Sequence, residues 1–137
     1  GRGVKNLTEY FKFILEWDEA GYRKIAESRK ALGLPVAERP SPPKLEHELA
    51  VLLPWFFEVA VERDYDYGEF GSIPNNLKER HIRPFYDLLC AHKLMPYTEF
   101  LQLIRTYDSC WLSAHSEVSH KKLEAQKVKA KSAAKKR

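Results

Sequence analysis

The sequence predicts an all-α fold: a compact bundle of four main helices, two of them kinked at proline, with a long C-terminal helix that ends in a basic tail. Apolar residues recur at helical spacing over most of the chain. No segment alternates apolar and polar residues over a useful strand length, and clusters of proline, glycine and asparagine separate the helical segments. With 137 residues, 44% of them hydrophobic, the chain can bury a substantial core in one domain.

The first predicted helix runs from about residue 7 to residue 32. Asn6 and Glu9 have the spacing of a capping box, which satisfies the free amides of a first helical turn. Gly33 can adopt the left-handed conformation that ends a helix, and Pro35 prevents its continuation. The apolar residues predicted to share one face of this helix are Leu7, Phe11, Ile14, Tyr22, Ile25 and Leu32.

The second helix follows the segment LPVAERPSPPK, whose four prolines predict a stiff, extended linker. Ser41 with Pro42 is a good helix start, because a proline in the first turn loses no amide partner. The helix is apolar nearly all round between residues 49 and 61, so we expect it to be the most buried one. Pro54 lies inside this helix and predicts a kink or a split there.

Residues 64–76 are predicted to form a loop, because glycine, proline and asparagine are frequent there. Asn76 and Glu79 repeat the capping-box spacing and predict a third helix, which ends near Lys93. Pro84 predicts a kink in that helix.

The fourth predicted helix begins with Thr98 as its cap and has an apolar stripe that ends at Val118. The residues predicted to form this stripe are Tyr97, Phe100, Leu101, Ile104, Tyr107, Trp111 and Val118.

The charge of the chain is concentrated at its C-terminal end. Eight of the 23 basic residues and one of the 19 acidic residues lie in residues 120–137, so this tail carries +7 and the other 119 residues carry −3. The tail has good helix formers but no apolar face, so it either extends the fourth helix or frays. We therefore divide the chain into a helical domain, residues 1–119, and a basic tail or helix extension, residues 120–137.

A basic tail on a mildly acidic body is typical of a local polyanion contact. Lysines spread around a helix neutralise phosphates as point charges and read no base sequence. The tail residues predicted to contact nucleic acid are Lys121, Lys122, Lys127, Lys129, Lys131, Lys135, Lys136 and Arg137. Lys78, Arg80 and Arg83 form a second basic spot near a helix start, where the alternative is an ordinary solvated face.

Aromatic residues indicate where the body contacts another protein. Phe13 and Trp17 lie four residues apart at the edge of the first helix's stripe, as part of either the core or a docking patch. Tyr65, Tyr67 and Phe70 lie in the acidic loop. We predict all five as partner-binding residues.

Three polar residues interrupt the predicted apolar stripes: Asp18, Asp108 and His115. An inward carboxylate is costly unless it is paired. The three residues could form an acid/base or metal cluster, whereas the alternative is a structural ion pair of a carboxylate with Arg83 or Arg105.

No cysteine or histidine pair has the spacing of a zinc site, and no nucleophile or phosphate-loop motif occurs. We therefore predict no metal, no cofactor and no catalytic residue.

Sequence features also bear on the compartment. No apolar run approaches the roughly 18 residues that cross a bilayer, and no secretory signal is visible. Two cysteines form no disulfide framework, which predicts an intracellular, reducing compartment: cytoplasm, nucleus or an organelle matrix. The chain begins at Gly1 and its one methionine is Met95, so we expect an excised domain, a processed protein or a chain with added residues.

These observations favour a non-catalytic helical subunit of a larger, nucleic-acid-containing assembly of the ribonucleoprotein type, with RNA preferred over DNA and no membrane contact. The body would contact protein subunits and the tail would contact phosphates. The first alternative is a protein-interaction adaptor without nucleic acid. The second alternative, ranked well below it, is a small enzyme that uses Asp18, Asp108 and His115.

Overall fold

The computed structural model describes residues 2–69 and 71–135 and has a mainly α-helical fold. The helices are α1 (Arg2–Glu16), α2 (Glu19–Ala31), α3 (His47–Ala60), α4 (Glu79–Leu88) and α5 (Tyr97–Lys135), and Ala91–Lys93 forms one 3-10 turn. Two short strands, β1 (Tyr65–Gly68) and β2 (Gly71–Pro74), pair antiparallel as a hairpin between α3 and α4. The predicted helical class is thus confirmed, with the hairpin as an addition to it.

Helix α5 is the element against which α1, α3 and α4 pack. It contacts α1 most extensively, and it also contacts α3 and α4. Its predicted apolar stripe is confirmed, because each of its residues is buried or half-buried. The fully buried side chains that form the centre of the core are Leu7, Phe11, Phe56, Val59, Ile82, Phe100, Ile104 and Tyr107. Burying a side chain of this kind contributes about 1.5–3 kcal/mol.

The single helix predicted for residues 7–32 is two helices, α1 and α2. Asp18 is not inside a helical stripe; its backbone is extended and its side chain accepts a hydrogen bond from the Gly21 amide at 2.9 Å. It is therefore the N-cap of α2, which restarts in a new direction. As a result, Ile25 and Leu32 leave the predicted buried face and are 64% and 74% exposed. Helix α1 already begins at Arg2, so Asn6 is an interior residue and not a cap.

The proline-rich linker runs back along α2. The Tyr22 hydroxyl donates to the Ala37 carbonyl oxygen at 2.7 Å, and the Arg29 side chain donates to the Pro35 carbonyl oxygen at 2.6 Å. Gly33 makes the reversal with a φ of +70°, a left-handed conformation that glycine adopts without strain. Because the linker continues beyond Ser41, the next helix starts later than predicted.

Helix α3 is buried on one face and not all round. Leu53, Phe56 and Val59 are the buried ones among its 14 residues, whereas Val51 and Phe57 are exposed. Its opposite face therefore meets solvent. Both α3 and α4 continue through their internal prolines, and the kinks predicted at those positions stay predictions.

The predicted caps of the last two helices are wrong by a few residues. Helix α4 begins after Lys78 rather than Asn76, and the Lys78 amide donates to His81 Nδ1 at 2.9 Å. The imidazole of His81 thus satisfies a first-turn donor, a role that we had given to an asparagine. Helix α5 begins at Tyr97, so Thr98 lies inside it.

The hairpin replaces the predicted loop over residues 65–74. Tyr65 pairs with Pro74, and Tyr67 pairs with Ser72. Nearly all residues of the hairpin are exposed, so no alternation of apolar and polar residues marks it in the sequence. Gly71 has a φ of +118°, which only glycine adopts readily, and it allows the tight return of the chain. No helix among the described residues is both long and apolar enough to cross a lipid bilayer.

Candidate nucleic-acid interface

The tail is helical as far as the structure describes it. Helix α5 continues without interruption from its last buried residue, Val118, to Lys135. At 1.5 Å per residue, residues 120–135 extend about 24 Å. Every side chain in this segment is exposed except the half-buried Leu123. Of the two forms predicted for the tail, the described part therefore has the helical one.

Most tail lysines have no acidic neighbour. Lys121 lies 3.6 Å from Glu16, and Lys127 lies 3.8 Å from Glu124. The other four lysines up to residue 135 form no ion pair among the described residues, and they are Lys122, Lys129, Lys131 and Lys135. The predicted contacts at Lys136 and Arg137 lie outside the described residues.

Along residues 120–135 the lysines leave part of the helix circumference without charge. With about 100° between successive residues, the six described lysines leave a lane of roughly 100° without charge. The residues of this uncharged lane are Leu123, Gln126, Ala130, Ala133 and Ala134. The described part of the tail thus has a charged side and an uncharged side.

A groove of about 1040 Å³ lies between the hairpin and the part of α5 where the tail begins. Its wall on the hairpin includes Gly68, Glu69 and the whole of β2. The polar side chains that α5 contributes are His115, Ser116, Ser119, His120, Lys122 and Gln126. The groove therefore joins the folded body to the basic tail, and the uncharged lane starts on its floor.

A buried ion pair fixes the hairpin beside α5. Arg63, just before β1, donates to Asp108 Oδ1 at 2.5 Å and to the Asn75 carbonyl oxygen at 2.8 Å. The other oxygen of Asp108 accepts from the Leu77 amide at 2.8 Å. Both ends of the hairpin are thus bound to one carboxylate in the middle of α5, and the side chains of Arg63 and Asp108 are only 1% and 5% exposed.

Aromatic stacking extends from this ion pair into the groove. The Arg63 guanidinium lies over the Trp111 ring at 4.3 Å, and Trp111 stacks on His115 with 5.0 Å between ring centroids. Partial burial lowers the pKa of His115, and the positive charges of Arg63 and Lys122 lower it further. Arg63 and Lys122 are the positive groups that act on His115, and the charge of Arg63 is paired with that of Asp108.

Two of the three residues in the second basic spot are engaged within the protein. Arg80 forms an ion pair with Asp64 at 2.6 Å, and Arg83 lies over the Tyr97 ring at 4.6 Å. Lys78 is exposed, but its amide is already bound to His81. This spot offers fewer free donors to a phosphate than the tail does.

The predicted partner-binding residues lie in two separate places. Phe13 and Trp17 stack with 5.8 Å between their rings and are half-buried at the junction of α1 and α2. The Trp17 indole also donates to Glu19 at 2.8 Å, so this pair has a structural role at the helix break. Tyr65 and Tyr67 are exposed on β1, whereas Phe70 lies outside the described residues.

The three residues of the predicted acid/base cluster have different surroundings. Asp18 is exposed at the start of α2, and Asp108 is buried against Arg63. His115 contacts Ser119 and Trp111, and no hydrogen bond or ion pair among the described residues joins any two of the three. The structural alternative is therefore right for Asp108, although its partner is Arg63 rather than Arg83 or Arg105. No group of three or more metal-binding side chains occurs among residues 2–69 and 71–135.

The sequence marks one part of this interface, the tail, but not the groove. The concentration of basic residues predicts the tail. The groove depends on a hairpin whose sequence has no alternation of apolar and polar residues. Arg63 is a lone basic residue between α3 and the hairpin, and nothing in its neighbourhood marks it as buried. The chain matches no protein-family model, and no curated protein or solved structure is significantly similar to it.

Proposed function

We propose that this protein is a non-catalytic helical subunit of a nucleic-acid-containing assembly of the ribonucleoprotein type, whose body contacts protein and whose helical tail contacts phosphates. The observation that carries this proposal is the continuation of α5 beyond the core as an exposed, lysine-rich helix. RNA is the preferred ligand over DNA, as the sequence analysis suggested, and the experiment below compares the two.

Repulsion within the tail supports an anionic partner. Lys127, Lys131 and Lys135 follow one another at intervals of four residues, so like charges are neighbours on one side of the helix. Each such pair destabilises an isolated helix by about 0.2–0.5 kcal/mol. A polyanion along that side removes this repulsion and gains counterion release in addition. The tail should therefore become more helical when nucleic acid binds.

The body has surfaces that suit a protein partner. Helix α2 has no buried residue, and its Ile25 is exposed together with Leu32 at its C-cap and Leu34 of the linker. Apolar side chains grouped on a helix and its adjoining linker favour a protein contact. This observation also supports the second candidate function, an adaptor that binds proteins only.

Binding of the intact chain to fluorescent RNA and DNA, single- and double-stranded, tests the proposal. We expect affinity to fall with salt, with a slope of log K against log salt of up to about 4 when six lysines contact a single strand. A variant with Lys→Gln at all six described tail lysines should lose this binding. The matched Lys→Arg variant keeps the charge and should retain it.

The result also separates the two candidate functions. If the intact chain binds no nucleic acid at low salt, the tail is not a phosphate-binding element and the adaptor function becomes the better account. If the Lys→Gln variant binds as well as the intact chain, the phosphate contacts lie outside these six lysines and the role given to them is wrong.

A further inference from the structure

Two exposed tyrosines project from the hairpin that forms one wall of the groove. Tyr65 is 46% exposed and Tyr67 is 90% exposed. Residues two apart on a strand point to the same side, so both rings lie on one face of β1. Their cross-strand partners, Pro74 and Ser72, line the groove, as do Gly71 and Ile73, whereas neither tyrosine lines it. The tyrosines thus lie beside the groove, on the strand that pairs with its wall.

The spacing of the tyrosines suits an extended strand of nucleic acid. Residues two apart on a strand are separated by about 6.7 Å, which is about twice the rise of 3.4 Å per nucleotide in duplex DNA. Consecutive bases can therefore each stack on one ring only when the strand is stretched and unpaired. Stacking of this kind accepts every base, because every base has a π-face.

The groove itself provides the groups that a phosphodiester backbone needs. Lys122 and His120 are cation or donor groups, and the hydroxyls of Ser116 and Ser119 are further hydrogen-bond donors. Glu69 is the one acidic residue among the described residues that line the groove. A carboxylate at the edge of the groove can accept a hydrogen bond from the amino group of a base.

We propose that the groove between the hairpin and α5 binds one strand of single-stranded nucleic acid, with phosphates at Lys122 and His120 and neighbouring bases stacked on Tyr65 and Tyr67. This inference rests on the proposed function and specifies its ligand. The strand leaves the groove along the tail, whose lysines neutralise the phosphates that follow. The anchoring of the hairpin by Arg63 and Asp108 keeps the tyrosines at a fixed position relative to α5.

The test compares a Tyr65→Ala, Tyr67→Ala variant with the matched Tyr65→Phe, Tyr67→Phe variant in the intact chain. The probes are a fluorescent oligouridylate, an oligothymidylate and a duplex of the same length. The alanine variant should bind the single strands at least about fivefold more weakly for each ring lost. The phenylalanine variant keeps the aromatic rings and should bind the single strands as tightly as the intact chain does. Both variants and the intact chain should bind the duplex with the same affinity.

The outcomes separate this inference from the function on which it rests. If the alanine variant binds single strands normally while the Lys→Gln tail variant does not, the stacking site is wrong and the phosphate-binding tail stands. If the alanine variant weakens single-strand and duplex binding equally, the single-strand preference is wrong. If the intact chain binds none of the three probes, both proposals fail.

His115 gives a second readout inside the groove. Its imidazole is near the positive groups Arg63 and Lys122, with His120 and Glu69 also lining the groove. A phosphate bound there adds negative charge beside the imidazole, so the pKa of His115, followed by NMR titration, should rise when oligouridylate saturates the protein. An unchanged pKa would place the strand outside the groove.

Discussion

Arg63 and Asp108 form a buried ion pair that connects both ends of the hairpin to the middle of α5. Each side chain makes a further hydrogen bond: Arg63 donates to the Asn75 carbonyl oxygen, and Asp108 accepts from the Leu77 amide. Few polar atoms of the pair are therefore left without a hydrogen-bond partner. A buried pair with this geometry positions an otherwise exposed hairpin, which has little apolar area of its own to bury. The shape of the groove depends on this contact.

Replacing Asp108 with asparagine should therefore destabilise the protein strongly. The Arg63 guanidinium would remain buried without a counter-charge, which costs about 3–5 kcal/mol. Urea unfolding at neutral pH measures the loss. Asp66→Asn is the matched control, since Asp66 is an exposed hairpin carboxylate, and it should change the free energy of unfolding by less than about 0.5 kcal/mol. Equal effects of the two substitutions would show that the ion pair does not hold the hairpin.

Tyr107 should contribute to stability in a way that depends on alkaline pH. Its hydroxyl donates to the Leu49 carbonyl oxygen at 2.7 Å, and burial raises its pKa to about 12. In the unfolded chain a tyrosine ionises near pH 10, so the folded state loses stability as pH rises from about 10 towards 12. Tyr107→Phe should cost about 1 kcal/mol at neutral pH and reduce this alkaline loss.

The control for that prediction is Tyr67→Phe, because Tyr67 is almost fully exposed. It should leave both the neutral stability and the alkaline loss unchanged. If Tyr107→Phe and Tyr67→Phe show the same profile in unfolding experiments between pH 8 and about 12, the Tyr107 hydroxyl does not contribute in the expected way.

A helix was predictable from the sequence where a single regular apolar stripe packs against the core. The stripe of α5 from Tyr97 to Val118 was read correctly, because its period is regular and its neighbours are polar. The break between α1 and α2 was not predicted, because Asp18 lies at a position that fits the apolar stripe of a single helix. Its capping hydrogen bond to Gly21 overrides the periodicity, and a local side-chain contact of this kind competes with a continuing helix.

The groove was not predictable for a different reason. Its wall is a hairpin whose residues are exposed on both faces, so burial leaves no pattern in the sequence. Its position comes from Arg63 and Asp108, which are 45 residues apart in the chain. A charge count recognises the tail because its lysines are adjacent in sequence, but it gives no sign of a pair that meets only in the folded protein.

Acid should break the contact of Glu19 with the linker, while the hydrogen bonds of Tyr22 and Arg29 to the linker and the core remain. Glu19 is in contact with Arg39 of the linker and with the Trp17 indole, and these hydrogen bonds lower the pKa of Glu19 to about 2. Since the unfolded-state pKa is about 4.5, this contribution is complete above pH 4.5 and is lost as pH falls towards 2. The Trp17 indole N–H resonance in NMR spectra should shift over that range.

Glu19→Gln removes the carboxylate charge, so at neutral pH its Trp17 resonance should lie near the position that the natural chain reaches in acid, and most of its acid dependence should disappear. Glu27→Gln, at an exposed position on the same helix, is the matched control and should leave the titration unchanged. A Trp17 resonance that titrates identically in all three proteins would mean that Glu19 does not hold the linker.

Removal of residues 120–137 should leave the folded body almost as stable as the intact chain. Among the described residues every buried one lies at or before Val118, and those of the tail contribute only the half-buried Leu123 and the exposed Lys121–Glu16 pair. We expect the free energy of unfolding in urea to change by less than about 1 kcal/mol, while the helical circular-dichroism signal of the tail disappears.

A shorter chain that ends at residue 113 is the control for that truncation. It also removes the buried Ala114 and Val118, so it should lose at least about 2 kcal/mol. If the 1–119 chain is destabilised as much as this control, the tail is part of the fold, and its lysines serve the stability of the body. If only the shorter chain is destabilised, the tail is free to bind an external ligand, and loss of nucleic-acid binding on truncation then reports contacts rather than unfolding.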